Sequence, residues 1–147
     1  MKQIFEVQRD NFLISTDLTR LNMDIVCELL SQAYWAKGRP REKTEEAITN
    51  SLVFGIYDGK RQIGIARVIT DYSIFAYLCD VFIQEEYRGR GIGKWLVESI
   101  LSHPNLKTIR RWLLATDDAH GLYQKYDFKP LDHVENWMQR FRPFPEE

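Results

Sequence analysis

The run Arg88-Gly89-Arg90-Gly91-Ile92-Gly93-Lys94 places three glycines and three cations within seven positions. Glycine lets a backbone approach a ligand closely, and guanidinium and ammonium groups add positive charge, so the chemistry on offer is the capture of an anion. An apolar stretch ends before the run at Ile83, and helical spacing begins after it. Where a helix starts, its first amides have no intrahelical partners and its dipole is positive, which together suit a diphosphate. Two familiar phosphate loops do not match. A Walker loop would need Ser or Thr where Trp95 stands, and Gly where Arg88 stands. A dinucleotide fingerprint accepts Gly89 and Gly91 but meets Lys94 at its third glycine, and no acidic strand end follows at the right distance. The plainer alternative is an ordinary glycine loop with solvated arginines.

The elements that would position this loop are legible from period. Alternation over 3–8 and the segment 11–16 read as two short strands. Ile25, Val26, Leu29, Leu30 and Ala33 share helical spacing, with Asn22 or Asp24 as cap and Gly38 and Pro40 as stops. Residues 41–51 read as a second, more exposed helix. A strand-rich tract follows, with a hairpin at Asp58-Gly59 between 52–57 and 62–70, and a turn at Asp71-Tyr72-Ser73 before 74–83. Ile92, Leu96 and Ile100, with Val97 and Leu101, mark a helix that His103-Pro104 closes. Then come a strand over 108–116, a helix over 117–126, and a last strand pair over 128–134 and 136–141. The order predicts a mixed α+β fold with one βαβ crossover, a single domain over residues 1–147.

Composition narrows the classes. The chain of 147 residues is 44% apolar and 13% aromatic, enough for one real core. Its net charge of -1 gives no field for nucleic acid. Cys27 and Cys79 are too few for a disulfide scaffold and show no CxxC spacing, so both read as buried thiols. His120 and His133 share no metal-ligand spacing, and no metal is expected. No run approaches the ~20 apolar residues of a membrane helix, and the first residues lack a signal-peptide core. The expectation is a cytoplasmic protein acting on neither membrane nor nucleic acid.

The run Arg88-Gly89-Arg90-Gly91-Ile92-Gly93 resembles the Q/R-x-x-G-x-G/A motif of the GCN5-related N-acetyltransferases, and the order of elements around it is similar to that family's over nearly the whole chain. The stretch 118–131, where Tyr123 precedes Asp127-Phe128, looks like the family's C-terminal helix. The resemblance implies acetyl-coenzyme A as co-substrate. Its pyrophosphate would lie on Arg88, Gly89, Arg90, Gly91, Ile92, Gly93 and Lys94. The strand at Val81, Phe82 and Ile83 would carry a bulge, pair with the pantetheine arm and offer an amide to the thioester carbonyl. Tyr123 would be the general acid toward the leaving thiolate; a tyrosine packing helix on sheet is the other reading. Thr116 stands where the family often has a cofactor-binding asparagine, and Asp127 where it has glycine, a position Asp can fill in left-handed geometry.

For the acceptor amine, Asp80 reads either as a base or as a carboxylate paired with Arg67, and a water chain could take the base's place. In a regular strand Asp80 and Phe82 share a face, and a bulge would break that parity. Trp35 and Arg39, between the first two helices, would border the acceptor groove in the resembled fold, with Arg39 suited to an acceptor carboxylate; a buried tryptophan and a solvated loop is the bland alternative. The reading is therefore direct acetyl transfer to the primary amine of a small molecule or peptide in a ternary complex, by a monomer or homodimer. A non-catalytic coenzyme A-binding sensor or regulatory module is the competing reading.

Overall fold

The computed structural model describes residues 3–144. Strands Glu6–Arg9 (β1) and Phe12–Ser15 (β2) form a hairpin turned by Asp10 at φ 54°. Asn22 caps helix Met23–Ser31 (α1), its side chain accepting from the amides of Asp24 and Ile25 at 3.0 and 3.3 Å. The helix stops short of the apolar periodicity, and Tyr34–Ala36 forms a separate 3-10 turn. Helix Arg41–Thr49 (α2) starts after Pro40, whose fixed φ suits a helix entry.

Leu52–Asp58 (β3), Arg61–Thr70 (β4) and Phe75–Ile83 (β5) make an antiparallel meander. Gly59 at φ 57° turns the first hairpin. The Asp71 Oδ1 closes the second by accepting from the amides of Ser73, Ile74 and Phe75 at 2.9–3.1 Å. Helix Ile92–Ser102 (α3) then crosses over to strand Arg111–Leu113 (β6), which pairs parallel to β5, and helix His120–Gln124 (α4) follows. The six strands lie in sequence order, so the expected mixed sheet with one βαβ crossover is present.

Each face of the sheet carries its own core. On one, Leu96, Val97 and Ile100 of α3 pack on Phe54, Ile56, Val68 and Leu78. On the other, Val26, Leu29 and Leu30 of α1 and Ile48 of α2 pack on Val53, Ile65 and Phe82.

The far end of the chain departs from expectation. The strand over 108–116 shrinks to the three residues of β6, and the helix over 117–126 to α4. The last strand pair is absent among the described residues: 128–144 are irregular apart from a 3-10 turn at Val134–Asn136. Pro130 has no N–H to give a ladder, and His133 at φ 52° breaks the extended alternation. Among the described residues no helix is long and apolar enough to cross a membrane.

Candidate active site

The parallel pairing of β5 with β6 runs only from Phe75 opposite Arg111 to Tyr77 opposite Leu113. β5 continues to Ile83, while the chain beyond Leu113 turns away toward α4. The strands thus part, and a groove of about 650 Å³ opens between residues 78–83 on one side and 114–119 on the other. Trp35, Arg39, Asp80 and Arg88 line it, as do Val81, Phe82 and Ile83. Thr116 and Tyr123 close the opposite wall.

A β-bulge shapes the β5 wall. Arg67 of β4 faces Cys79 and Ile65 faces Phe82, so Ala66 alone opposes Asp80 and Val81. Asp80 takes φ 50°, a left-handed conformation that Asp tolerates better than most residues. The extra residue exchanges the faces of the strand. Leu78 belongs to the α3-side core, whereas Phe82, an even number of residues later, belongs to the α1-side core. Val81 and Ile83 pack toward α3 instead.

The bulge aims Asp80 into a knot of donors. Arg39 grips it with both Nη atoms, at 2.8 and 3.0 Å, and Arg67 Nε donates at 2.9 Å. Trp35 Nε1 adds a bond at 3.1 Å, and Arg67 Nη1 also donates to Ser51 Oγ at 3.1 Å. Burial pushes the Asp80 carboxyl up, but the hydrogen bonds and charge of Arg39, and then those of Arg67, outweigh it and hold it below its ordinary range. This bears on two expectations. Asp80 is paired with Arg67 and is a poor proton acceptor, which argues against its use as the base. Arg39 commits its Nη1/Nη2 pair to Asp80, so an acceptor carboxylate would have to meet its remaining N–H groups. Trp35 does reach the groove, its ring tilted 6.4 Å from that of Phe82. Beside the knot, burial raises the Cys79 thiol to about 11. It is therefore a thiol at neutral pH and ill suited to carry an acyl group.

On the opposite wall, Tyr123 is buried and stands edge-on to Phe128 at 5.8 Å. Burial, helped by the Asp118 charge, raises its phenol to about 12. Thr116 Oγ1 accepts from the amide of Ala119 at 3.1 Å, so it tightens the entry to α4 while it faces the groove. Asp127 fills the left-handed position after α4 at φ 69°.

The groove reaches Arg88, the first residue of the glycine loop. Glu85–Tyr87 makes one 3-10 turn, anchored by buried Tyr87, whose hydroxyl donates to Asp58 Oδ2 at 2.7 Å. Gly89 and Gly91 then take φ 79° and 80°, and Gly91 heads α3. Left-handed backbone at these positions turns successive amides toward one side, and the first amides of α3 lack intrahelical acceptors. Arg88 Nε donates to the Ile83 carbonyl at 2.8 Å, with its guanidinium 5.0 Å over the Phe82 ring, and Arg90 lies 5.2 Å over Tyr87. Gly93 lies against Leu122 and Ile83, where a Cβ would be 3.6 and 3.9 Å away. Ile92 is buried in the core, so only its backbone faces outward, whereas Lys94 is exposed.

Sequence reasoning missed several neighbours of the site. Arg9 of β1 stacks 5.4 Å over Trp95 and brings its Nη2 within 3.6 Å of where a Gly91 Cβ would start. Lys125 lies close enough to Lys94 that the neighbouring ammonium lowers its pKa. The Tyr34 hydroxyl accepts from the Asp117 amide at 3.1 Å, tying the 34–36 turn to the far wall. None of these pairings has a local sequence signal, because the partners meet only through the tertiary fold.

Known proteins share this arrangement. The profile of the acetyltransferase (GNAT) domain family matches residues 49–130. A solved structure from Xanthomonas campestris pv. campestris, assigned to the GNAT family, is 42% identical, covers 97% of this chain and 96% of its own, and superposes with a TM-score of 0.84. The Gibberella zeae protein FG08082, provisionally named an acetyltransferase, is 31% identical over 76% of each chain. A GNAT acetyltransferase from Elizabethkingia anophelis, solved with acetyl-CoA bound, shares the fold at 18% identity and a TM-score of 0.66, over 92% of this chain and 90% of its own. This chain belongs to the GNAT family of acetyltransferases.

Proposed function

We propose that the protein transfers the acetyl group of acetyl-coenzyme A to a primary amine by direct attack in a ternary complex. The observation that carries this reading is the parting of β5 from β6 after Tyr77, which opens one edge of β5 onto a groove whose lining reaches Arg88, the residue before the left-handed Gly89. The residues fit the cofactor: an amide-rich arm can add to that edge as a peptide strand does, and a pyrophosphate suits the helix start. Bound there, acetyl-coenzyme A supplies an activated acetyl thioester and a thiolate leaving group.

The chain's own residues then divide the work. The amides of 88–94 and the cations Arg9, Arg88, Arg90 and Lys94 hold phosphate. Val81, Phe82 and Ile83 align the arm, and Thr116 faces it from the other wall. With a phenol near 12, Tyr123 is fully protonated at neutral pH. A thiol has an ordinary pKa of ~8.5 and is the stronger acid. Tyr123 therefore assists mainly by a hydrogen bond that strengthens as charge builds on sulfur. Asp80, held ionised, keeps Trp35 and the bulge in place, and the amine loses its proton to water in the groove.

Thiol release with a panel of amines, beside calorimetry with acetyl-coenzyme A, tests the reading. Tyr123→Phe should lower turnover by ~10²–10³ while cofactor affinity holds. Full turnover in that variant would leave Tyr123 a packing role. Tight cofactor binding with no thiol release for any amine would favour the non-catalytic binding module.

A further inference from the structure

The two walls of the groove carry opposite charge. Arg39 and Arg67 both line the β5 side, and among the described residues Asp80 is the one carboxylate paired with either. Two guanidiniums therefore share a single negative charge, although their side chains are only 14% and 11% exposed. A cation held that far from water calls for a counter-charge. Both still have N–H groups to give. Arg39 binds Asp80 through Nη1 and Nη2, which leaves Nε, and Arg67 spends Nε on Asp80 and Nη1 on Ser51, which leaves Nη2. On the facing wall, the lining residues within 114–123 include Asp117 and Asp118 and no cation. Both are exposed, and Asp118 stands near enough to Tyr123 for its charge to raise the phenol.

We propose that the acceptor is an amino acid-like zwitterion, whose carboxylate takes the free N–H groups of Arg39 and Arg67 while its amine meets the thioester from the Asp118 side. The proposal rests on the acetyl-transfer reading and names its substrate class. In that reading the pantetheine arm fills the edge at 81–83, which leaves the end of the groove by Trp35, Arg39 and Arg67 to the acceptor. The arginine pair has one positive charge in excess, which a carboxylate balances and a phosphate, at close to two negative charges, overshoots. A diamine would suit the acidic wall but set its second ammonium against the arginines. Opposed walls also orient a dipolar molecule as it enters. The amine loses its proton to water and forms the C–N bond, the C–S bond breaks, and the thiolate takes up a proton from solvent. The carboxylate passes through unchanged.

Thiol release tests this with alanine, phenylalanine, β-alanine and γ-aminobutyrate, each beside its own amide. The amide keeps the amine and removes the carboxylate. An α-amino amide has the less basic amine, so intrinsic reactivity favours the amide and a preference for the acid reports recognition. At least one acid should exceed its amide about tenfold or more in kcat/KM. Arg39→Gln keeps a donor for Asp80 and leaves Arg67 as its cation; it should shrink the acid-to-amide ratio about tenfold, chiefly by raising KM for the acid. A purely structural role would slow acid and amide alike and leave the ratio standing. Arg39→Lys keeps the charge but loses the planar fork, so it should fall between, and it decides the matter if the Gln variant fails to fold. A ratio that survives substitution of Arg39 overturns the proposal. So do amides turned over as well as their acids, ethylenediamine preferred to every acid, or aminoethylphosphonate preferred to β-alanine. If no amine releases thiol, the transfer reading falls, and calorimetry on the coenzyme A complex still decides this one. An acid bound about tenfold or more tighter than its amide, with the difference lost on substituting Arg39, sustains it. Equal or absent binding overturns it.

Discussion

The two ends of the groove are built from different materials. At the glycine loop the geometry is backbone: Gly89 and Gly91 sit in left-handed φ and a helix begins, while Arg88, Arg90 and Lys94 are exposed. At Asp80 the geometry is side chain: one buried carboxylate gathers donors from Trp35, Arg39 and Arg67, which stand 45, 41 and 13 residues away in sequence. A site made of backbone can change its ligand contacts without disturbing the core. A site made of long-range side-chain bonds holds the turn after α1, β4 and β5 together, so binding geometry and fold stability are coupled there.

Asp80→Asn tests that contrast most severely. Asn keeps the size and tolerates the left-handed φ of 50°, but it removes the charge between two guanidiniums whose side chains are 14% and 11% exposed. Breaking a buried pair by removing one partner costs about 3–5 kcal/mol. At ~2–4 °C per kcal/mol for a chain of this size, thermal melting should fall by about 10 °C or more. Acetyl-coenzyme A affinity, measured below the melting range, should change far less. An unshifted melting temperature would show that the knot is not a stabilising hub, and the contrast would fail.

Gly91→Asp is the reciprocal test. Asp can hold the φ of 80°, and its Cβ would meet only Arg9 Nη2, at 3.6 Å, so the fold should survive with a melting loss of a few degrees. Its carboxylate would stand where phosphate is proposed to lie. Losing even one or two charge-assisted hydrogen bonds, at about 1.5–3 kcal/mol each, should weaken cofactor binding about tenfold or more. Calorimetry showing unchanged affinity in the folded variant would remove the loop from the site.

The same contrast explains what could be read in advance. The loop was legible because glycines before a helical period carry their meaning locally. The faces of β5 were not legible from period alone, because one extra residue at Asp80–Val81 reverses a period-two pattern; only the family resemblance pointed to a bulge in that strand. Asp80 and Arg39 were picked out as groove residues, but their bond to each other was not, since neighbours in space stood far apart in sequence. In 136–141 the alternation of apolar and polar residues records a side that seeks cover. It does not say that a strand partner lies within the same chain, and Pro130 and His133 prevent one from forming there.

The smallest expected effect separates the two ends by pH. Asp80 has a lowered pKa, so the stability it contributes is present above the ordinary carboxylate value of 3.8 and is lost only as pH falls through its lower folded value. The knot therefore supplies no drift between about pH 7 and pH 5. His103 does. It is buried at the end of α3 between the rings of Phe5 and Phe54, and its Nδ1 accepts from the Asn105 amide at 3.1 Å. Burial lowers its pKa from 6.5, so the folded chain keeps it neutral where the unfolded chain takes a proton. The unfolded state binds more protons in that window, so stability is full above about pH 6.5 and declines as pH falls toward the folded value. The melting temperature should drop by a few degrees on going from about pH 7 to pH 5. His103→Asn keeps an acceptor near Asn105 and cannot titrate; it should melt lower at every pH but lose the slope. If the slope survives in His103→Asn, some group other than this histidine sets it, and the pH separation of the two ends must be redrawn.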